Sequence, residues 1–481
     1  MSDHFKQTRK AQSFIWSIGL VTLCGALPVQ AQNVLPTDAK ASCAVDAATF
    51  NSWFDSGTAA DGGSVKPANG FNFPPSATNT DCDFYQWGAQ MFLWLTSPDP
   101  AGGITIDNTD FYDVVSAGDM KRKFVENDGG PTLMQLRSVK PIDSEGTGQA
   151  GGGDVLISAN NSLVYYGVHA NDIYAWFRTG VTDGTFTGDM AANFPTTEAD
   201  VQQIVSYAAG KGATITDIDA STMELKTSWV DASTVADKST FITASAVVPN
   251  YTKGSDTLWT LDGTQTIELA LVGVHIAAPV LGHPELVWIS YEHISNAPMA
   301  DYVYTTTGDT QSLQAYNAAG TWTFDVDETY TPPAIVPNAA QQKNGDIMSP
   351  TGTPIGPVAV ALKNPWGVAP GPNNDASNNT DLVSLNVSLM SQLGGLGDLR
   401  ANYFQIGGIW TVDGQLPLSG SDGNIRGGLR LANSTMETFH QYPDHNSFTS
   451  ENCFTCHAVA KETDPGVKVS HIFDSLDALG Q

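Results

Sequence analysis

The stretch "TIELALVGVHIAAPVLGHPELVWISYEHI", Thr266 to Ile294, decides the fold. Two runs rich in β-branched, aliphatic and aromatic residues flank a turn around Gly282-His283-Pro284, and they read as consecutive strands. Side chains alternate along a strand, so Val287, Ile289, Tyr291 and His293 fall on one face of the second run. His275 and His293 lie on strands expected to be neighbours, either as hydrogen-bonded core residues or as groups lining a cofactor crevice or metal site.

Outward from this pair the signal stays largely β, from about 154 to 330. "DVLISANNSLVYYGVH" (154–169) reads as a hairpin turning at Asn160-Asn161, and "MELKTSWV" (223–230) alternates. "NYFQIGGIWTV" (402–412) is a further strand. Helical spacing is local. In "DCDFYQWGAQMFLWLTSP" (81–98), Phe84, Trp87, Met91 and Leu95 recur at helical intervals, Asp81 or Asp83 offers a cap, and Pro98 ends the run. This helix is apolar nearly all round, so its Trp and Met belong to a core. "EADVQQIVSYAAG" (198–210) and "TDLVSLNVSLMSQLGG" (380–395), stopped by Gly394-Gly395, are two more helices. "LANSTMETFHQ" (431–441), if helical, sets Met436, Glu437 and His440 close together. Residues 331–380 read as Pro-, Asn- and Gly-rich loop, and the lone Gly-rich "GTGQAGGGD" carries no motif. The expected fold is mainly β, a sandwich or barrel-like core with a few packed helices, ending in a short helical segment. Boundaries follow: 1–31, a loop-rich 32–80, a β-rich domain 81–425, and a C-terminal segment 426–481.

The chain of 481 residues carries 50 Asp plus Glu against 22 Lys plus Arg, a net charge of −28. That field opposes nucleic acid and anionic lipid and attracts a basic protein partner. Lys6, Arg9 and Lys10 precede the apolar run Phe14–Val29, and Val29 and Ala31 are small residues at a cleavage site. This reads as an export signal cut after Ala31, leaving Gln32 first, rather than a membrane anchor; a lipoprotein reading through Cys24 fits less well because Leu23 is bulky. The remaining sequence has no other apolar run long enough to span a bilayer. Of the five Cys, Cys24 leaves with the signal. Once Cys453 and Cys456 are used together, Cys43 and Cys82 remain as a pair, a disulfide in an oxidising compartment or else two buried thiols.

"SENCFTCH" (450–457) sets Cys453, Cys456 and His457 in the order Cys-x-x-Cys-His, the attachment pattern of c-type haem. One helical turn presents both thiols to the two porphyrin vinyl groups and brings the adjacent His beneath the iron. Two alternatives stand beside it. His440 and His445 precede the cysteines and complete a Cys2His2 zinc set. A bare Cys-x-x-Cys also serves as a redox dithiol, although no βαβ pattern surrounds it. Only 24 residues follow His457 and none is Met. A second axial ligand therefore comes from upstream, is His471, or is absent; His471 and Met436 are the leading candidates. No nucleophile elbow, zincin helix, Walker loop or dinucleotide fingerprint is present.

The phrases "FYQWGAQMFLWL" (84–95), "ELALVGVHI" (268–276), "ELVWISYEHISNAP" (285–298), "LRLANSTMETFHQY" (429–442) and "NCFTCH" together resemble an exported bacterial family with one C-terminal c-type haem motif, described as cytochrome c family proteins. The resemblance covers the chain from about residue 84 onward. It implies one covalent haem c at Cys453, Cys456 and His457 and names no substrate. Members carry an Asp-Phe-Ser-Phe-like segment where this chain has "SHIF" (470–473), a departure at His471 itself. The reading is a periplasmic or secreted monohaem cytochrome, an electron-transfer protein with a redox partner protein rather than a substrate-converting enzyme. Its rivals are a haem enzyme of peroxidase or oxidase type and a ligand-binding or sensing module.

Overall fold

The computed structural model describes residues 32–118, 121–127, 132–135, 154–324, 340–367, 375–441 and 452–480. Residues 1–31, read from the sequence as an export signal, lie outside them. The fold is mainly β, as expected, with a few packed helices. Strands Leu258–Val280 and His283–His293 form its central hairpin, turning at Leu281-Gly282 with Gly282 at φ 82°. His283 and Pro284 thus open the second strand and are not part of the turn. On one side of the hairpin the sheet continues through Tyr403–Thr411 to Ile425–Gly427. On the other it runs through Glu224–Asp231 and Tyr165–Asn171 to Phe111–Gly118 and Lys121–Glu126. Neighbours along this path are antiparallel.

The hairpin register pairs Val274 with Tyr291, His275 with Ser290, Ile276 with Ile289 and Ala277 with Trp288. Directly opposed residues share a face. One face is therefore apolar, carrying Val274, Ile276, Ile289 and Tyr291. It packs on the buried helix Asp81–Leu95, where Phe92 stacks on Tyr291 with ring centroids 4.0 Å apart and Phe84 on Trp410 at 4.1 Å. At Gly88 a Cβ would meet Ile289 at 2.6 Å, so glycine is what lets helix and sheet approach. The opposite face carries Gly273, His275, Ser290, Trp288 and Glu292, continued by Glu224, Lys226 and Ser228 on the next strand. Such a polar stripe inside a sheet needs partners, and the C-terminal segments supply them.

Several local expectations change. The buried helix starts one residue earlier than the acids suggest: Thr80 precedes it and its backbone N–H donates to Asp83 Oδ2 at 2.7 Å. Helix Asp375–Leu396 runs through Gly394-Gly395 and stops at Gly397, which adopts φ 82° while the Asp398 N–H donates back to Leu393 O at 3.0 Å. Glycine ends a helix only where a left-handed residue is used. Helix Asp172–Thr182 sits inside the region read as β. Its Tyr, Trp and Phe mimic strand composition, but the Asn171 side chain accepts from the Tyr174 N–H at 3.1 Å and starts a helix. The Asn160-Asn161 turn forms, with Asn161 at φ 63°, yet its arms make only a single bridge, Ile157 to Leu163.

Cys43 and Cys82 are joined in a disulfide. It ties the N-terminal segment to the first turn of the buried helix. The same segment lies along helix Asp375–Leu396, with Cys43 N–H donating to Ser384 Oγ at 3.0 Å and Val45 N–H to Ser388 Oγ at 2.9 Å. No helix among the described residues is long and apolar enough to cross a membrane. The bridge closes a loop of 39 residues in sequence. Replacing both cysteines by Ala should lower unfolding free energy by about 2–4 kcal/mol. Urea unfolding checks this, and an unchanged midpoint would mean that the bridge adds nothing to the N-terminal segment's own hydrogen bonds.

Candidate functional site

Residues 432–439 lie across the polar face of the central hairpin. Glu292 is fully buried; it accepts from the Ser434 N–H at 2.5 Å and also from the Ser434 hydroxyl. Asn433 Nδ2 donates to Ser290 Oγ and to Tyr291 O, both at 3.1 Å. Asn433 Oδ1 accepts from the Thr435 N–H at 2.9 Å and its hydroxyl at 2.7 Å. Ser228 reaches the same Thr435 hydroxyl at 2.6 Å. Gly273 makes this possible: a Cβ there would lie 2.6 Å from Ser228 Oγ and 2.7 Å from Thr435 Oγ1. The segment is therefore not the α-helix its spacing implied. Its Ser, Thr and Asn bond to the sheet instead of to a helix ladder. Helical geometry resumes only in the short 3-10 turn Thr438–Gln441.

The Cys-His turn, Cys453–Cys456, sits beyond this plug. Asn452 caps it, its Oδ1 accepting from the Phe454 N–H at 3.0 Å, while its Nδ2 donates to Gly420 O at 2.8 Å and Leu429 O at 2.9 Å. The cap thus fixes the turn both internally and to the domain. His457 follows, its N–H donating to Cys453 O at 2.9 Å. Its Nδ1 is 2.7 Å from Val469 O. A carbonyl only accepts, so Nδ1 carries a proton and donates it to Val469 O. The ring stands between Trp288, with centroids 4.2 Å away, and His471, at 3.9 Å.

The carbonyl that orients His457 is itself held. Ser470, the next residue, hydrogen-bonds to Glu224 and lies 2.9 Å from the Tyr174 hydroxyl. Buried Arg122 donates to His471 O at 2.8 Å and to Ser475 Oγ. Arg178 Nε donates to Leu476 O at 2.9 Å and its guanidinium lies 5.2 Å from the Phe473 ring centre. Phe473 is buried among Tyr174, Phe177 and Phe194. The last residues are thus a strap across the sheet, sharing its hydrophobic core.

Between turn and sheet is a small cavity of about 40 Å³, walled by His275, Trp288, Leu431, Glu437, Cys453 and His457 among others. Such a volume takes about two or three waters. A porphyrin needs the turn to stand further from Trp288. Glu437 Oε1 and Oε2 lie 3.1 and 3.0 Å from His275 Nε2. Burial pushes the Glu437 carboxyl up, but the His275 imidazole, Lys226 and the Asn433 N–H outweigh it and lower it to about 2. Burial, reinforced by Glu437, pushes the Cys453 thiol well up. A reactive dithiol needs the reverse, a stabilised thiolate.

The predicted residues divide. Cys453, Cys456 and His457 come together with His275, which the sequence left open between a core residue and a crevice residue. His293 does not join them: it lies on the apolar face, bonded to Ser295 Oγ at 2.8 Å and Thr240 O at 3.0 Å and stacked on Phe241. Burial pushes its imidazole down to about 3, the behaviour of a neutral core histidine. Met436 is fully buried in a separate cluster with Val230, Val272, Phe324 and Val360. His471 stacks flat on His457 and its Nε2 is 2.8 Å from Cys456 O. Ligands trans across an iron meet nitrogen to nitrogen and cannot stack ring on ring. The His440 side chain and all of His445 lie outside the described residues, and the zinc set with them. Among the described residues, the one convergence of His, Cys, Asp and Glu ligand atoms is Cys43, Cys82 and Asp381, and its two sulfurs are already bonded to each other. Sequence reasoning missed Glu437 as the partner of His275, and missed Glu224 and Ser470 as anchors; an isolated acid in a strand pattern was their faint signal.

No protein-family model, curated protein or solved structure matches this chain. The site therefore stands on its own geometry. Its main anchor gives a testable pH dependence. Burial pushes Glu292 up to about 7 against an ordinary value of 4.5. The folded chain then holds an extra proton between these values, so stability falls as pH rises through that window. Glu292→Gln should flatten the loss between pH 5 and pH 8 by roughly 1–3 kcal/mol. Urea unfolding at both pH values measures it; an identical slope in variant and parent would refute the role given to Glu292.

Proposed function

We propose that this chain is an exported monohaem c-type cytochrome, a single-electron carrier whose haem lies between the C-terminal turn and the large β-rich domain. The observation that carries the reading is the Nδ1–H bond from His457 to Val469 O at 2.7 Å. It holds the imidazole by its Nδ1–H, the orienting contact that a metal-ligating histidine uses, beside two unbridged cysteines on one helical turn. Cys453 and Cys456 would hold the porphyrin through thioether bonds, and His457 would bind its iron. When bound, the haem supplies a one-electron couple. Trp288, Leu431 and Ala432 offer it an apolar wall, and a wall of this kind limits water and so steers the potential. The net charge of −28 favours a basic redox partner protein. The resemblance to exported cytochrome c family proteins points the same way.

Expression with the export segment and a haem-maturation system tests this. Intact-mass analysis and a haem stain after denaturation should find one covalent haem per chain. Cys453→Ala and Cys456→Ala together should abolish it, and His457→Ala should leave attachment possible while removing the low-spin spectrum. Protein that copurifies with zinc and no haem would contradict the reading.

A further inference from the structure

A cleft of about 410 Å³ lies at the C-terminal end of the buried helix Asp81–Leu95 and shares no residue with the cavity at the Cys-His turn. Its volume is that of a small-molecule site. The walls come from three stretches, 55–67, 94–108 and 216–219. Hydrogen bonds set them in place. The Val65 N–H donates to Ser97 Oγ at 3.0 Å, and the Ser97 hydroxyl donates to Leu93 O at 2.8 Å. Asn69 Nδ2 donates to Asp219 Oδ1 at 2.7 Å, and the Ala101 N–H to Asp99 Oδ1 at 2.7 Å. Asp55 and Asp217 complete a set of four carboxylates on these walls, against which Lys66 is the one cation. Among the described residues no ion pair engages any of the four. Burial first, then Asp110, Asp55 and Asp219, push Asp217 up to about 6. Burial and Asp110 push Asp172 up to about 8, with Asp217 adding to them and the Ile173 N–H opposing. A positive group among these acids relieves their repulsion.

No three of the four carboxylates gather closely enough to share a metal ion; among the described residues only Cys43, Cys82 and Asp381 do so. The cation that fits is therefore an organic one. Trp94 adds a second demand. It is only 4% exposed, packs on Phe111 with ring centroids 5.8 Å apart, and lines the cleft. Its indole N–H meets no acceptor among the described residues, yet it is not sealed in as those of Trp87 and Trp366 are. Its remaining exposure is to the cleft. An indole N–H only donates, and so does the Lys66 ammonium, so both call for an oxygen acceptor on the same ligand that carries the cation. We propose that this cleft binds a small basic amino acid, its cationic end among Asp55, Asp217 and Asp219 and its carboxylate on the Trp94 N–H and Lys66. The proposal is independent of the haem reading.

Isothermal titration calorimetry of the full chain with L-arginine tests this, with butylguanidine (the same cation without the carboxylate), L-glutamate and calcium as comparisons. Arginine should bind at pH 7, and L-glutamate should not. Cation binding favours ionised Asp217, so binding should release protons near pH 6, seen as a buffer-dependent heat, and affinity should fall as pH drops through about 6. Asp217→Asn should weaken arginine about ten- to hundredfold and reduce the proton release. Trp94→Phe keeps an aromatic ring in the core; it should weaken arginine about tenfold and leave butylguanidine unchanged. A distorted cleft would weaken both compounds alike, and circular dichroism verifies that each variant is folded. Absence of arginine binding at millimolar concentration overturns the proposal, as does calcium binding in its place or an unchanged affinity in Asp217→Asn. Equal effects of Trp94→Phe on arginine and butylguanidine overturn the role given to the indole N–H.

Discussion

A buried glutamate on the polar side of a two-faced hairpin governs the rest of the molecule. Glu292 stands in the centre of the sheet, fully buried, with Ser434 as its partner. A buried carboxyl without partners is costly. The hairpin's second face is therefore incomplete until residues 432–439 cover it, and Gly273 leaves the room for them to do so. The apolar face makes no such demand. It binds the helix Asp81–Leu95 by area and stacking alone.

The C-terminal site inherits this asymmetry. The plug that satisfies Glu292 also places Glu437 against His275. A second buried glutamate, Glu224, holds Ser470 and with it the Val469 carbonyl that orients His457. Burial pushes Glu224 up to about 7, although its bonds to Ser470 and Tyr174 and the nearby Arg122 pull the other way. Two proton-holding anchors thus hold the segments that carry the cavity's groups: Glu292 through Ser434, three residues before Glu437, and Glu224 through Ser470, next to the Val469 whose carbonyl holds His457. Precision at the turn comes from the sheet, because the turn itself is only four residues long.

Much of this was legible in the sequence, and the rest was not for definite reasons. The hairpin declared itself through period-2 alternation, and the buried helix through period-3.6 spacing with almost no polar break. The motif Cys453, Cys456, His457 is local and needs no fold to be noticed. Its surroundings are non-local. Glu224 and Ser470 are 246 residues apart in sequence, and His275 and Glu437 are 162 apart. No periodicity connects such pairs. "LANSTMETFHQ" misled because helical spacing coincided with Asn, Ser and Thr, which bond to a neighbouring backbone as readily as they join a helix. His471 attracted notice by nearness to the motif, whereas the fold uses that stretch for its backbone: Val469 O orients His457 and His471 O receives Arg122.

The central claim is that the C-terminal turn owns no pocket of its own and depends on the large sheet for one. Urea unfolding of the protein carrying the proposed haem, followed at once by the haem absorption band and by far-ultraviolet circular dichroism, tests it most directly. The account predicts coincident transitions, the iron losing its low-spin band as the sheet unfolds. A haem band that outlives the sheet signal would contradict it, because the turn would then be holding its cofactor alone.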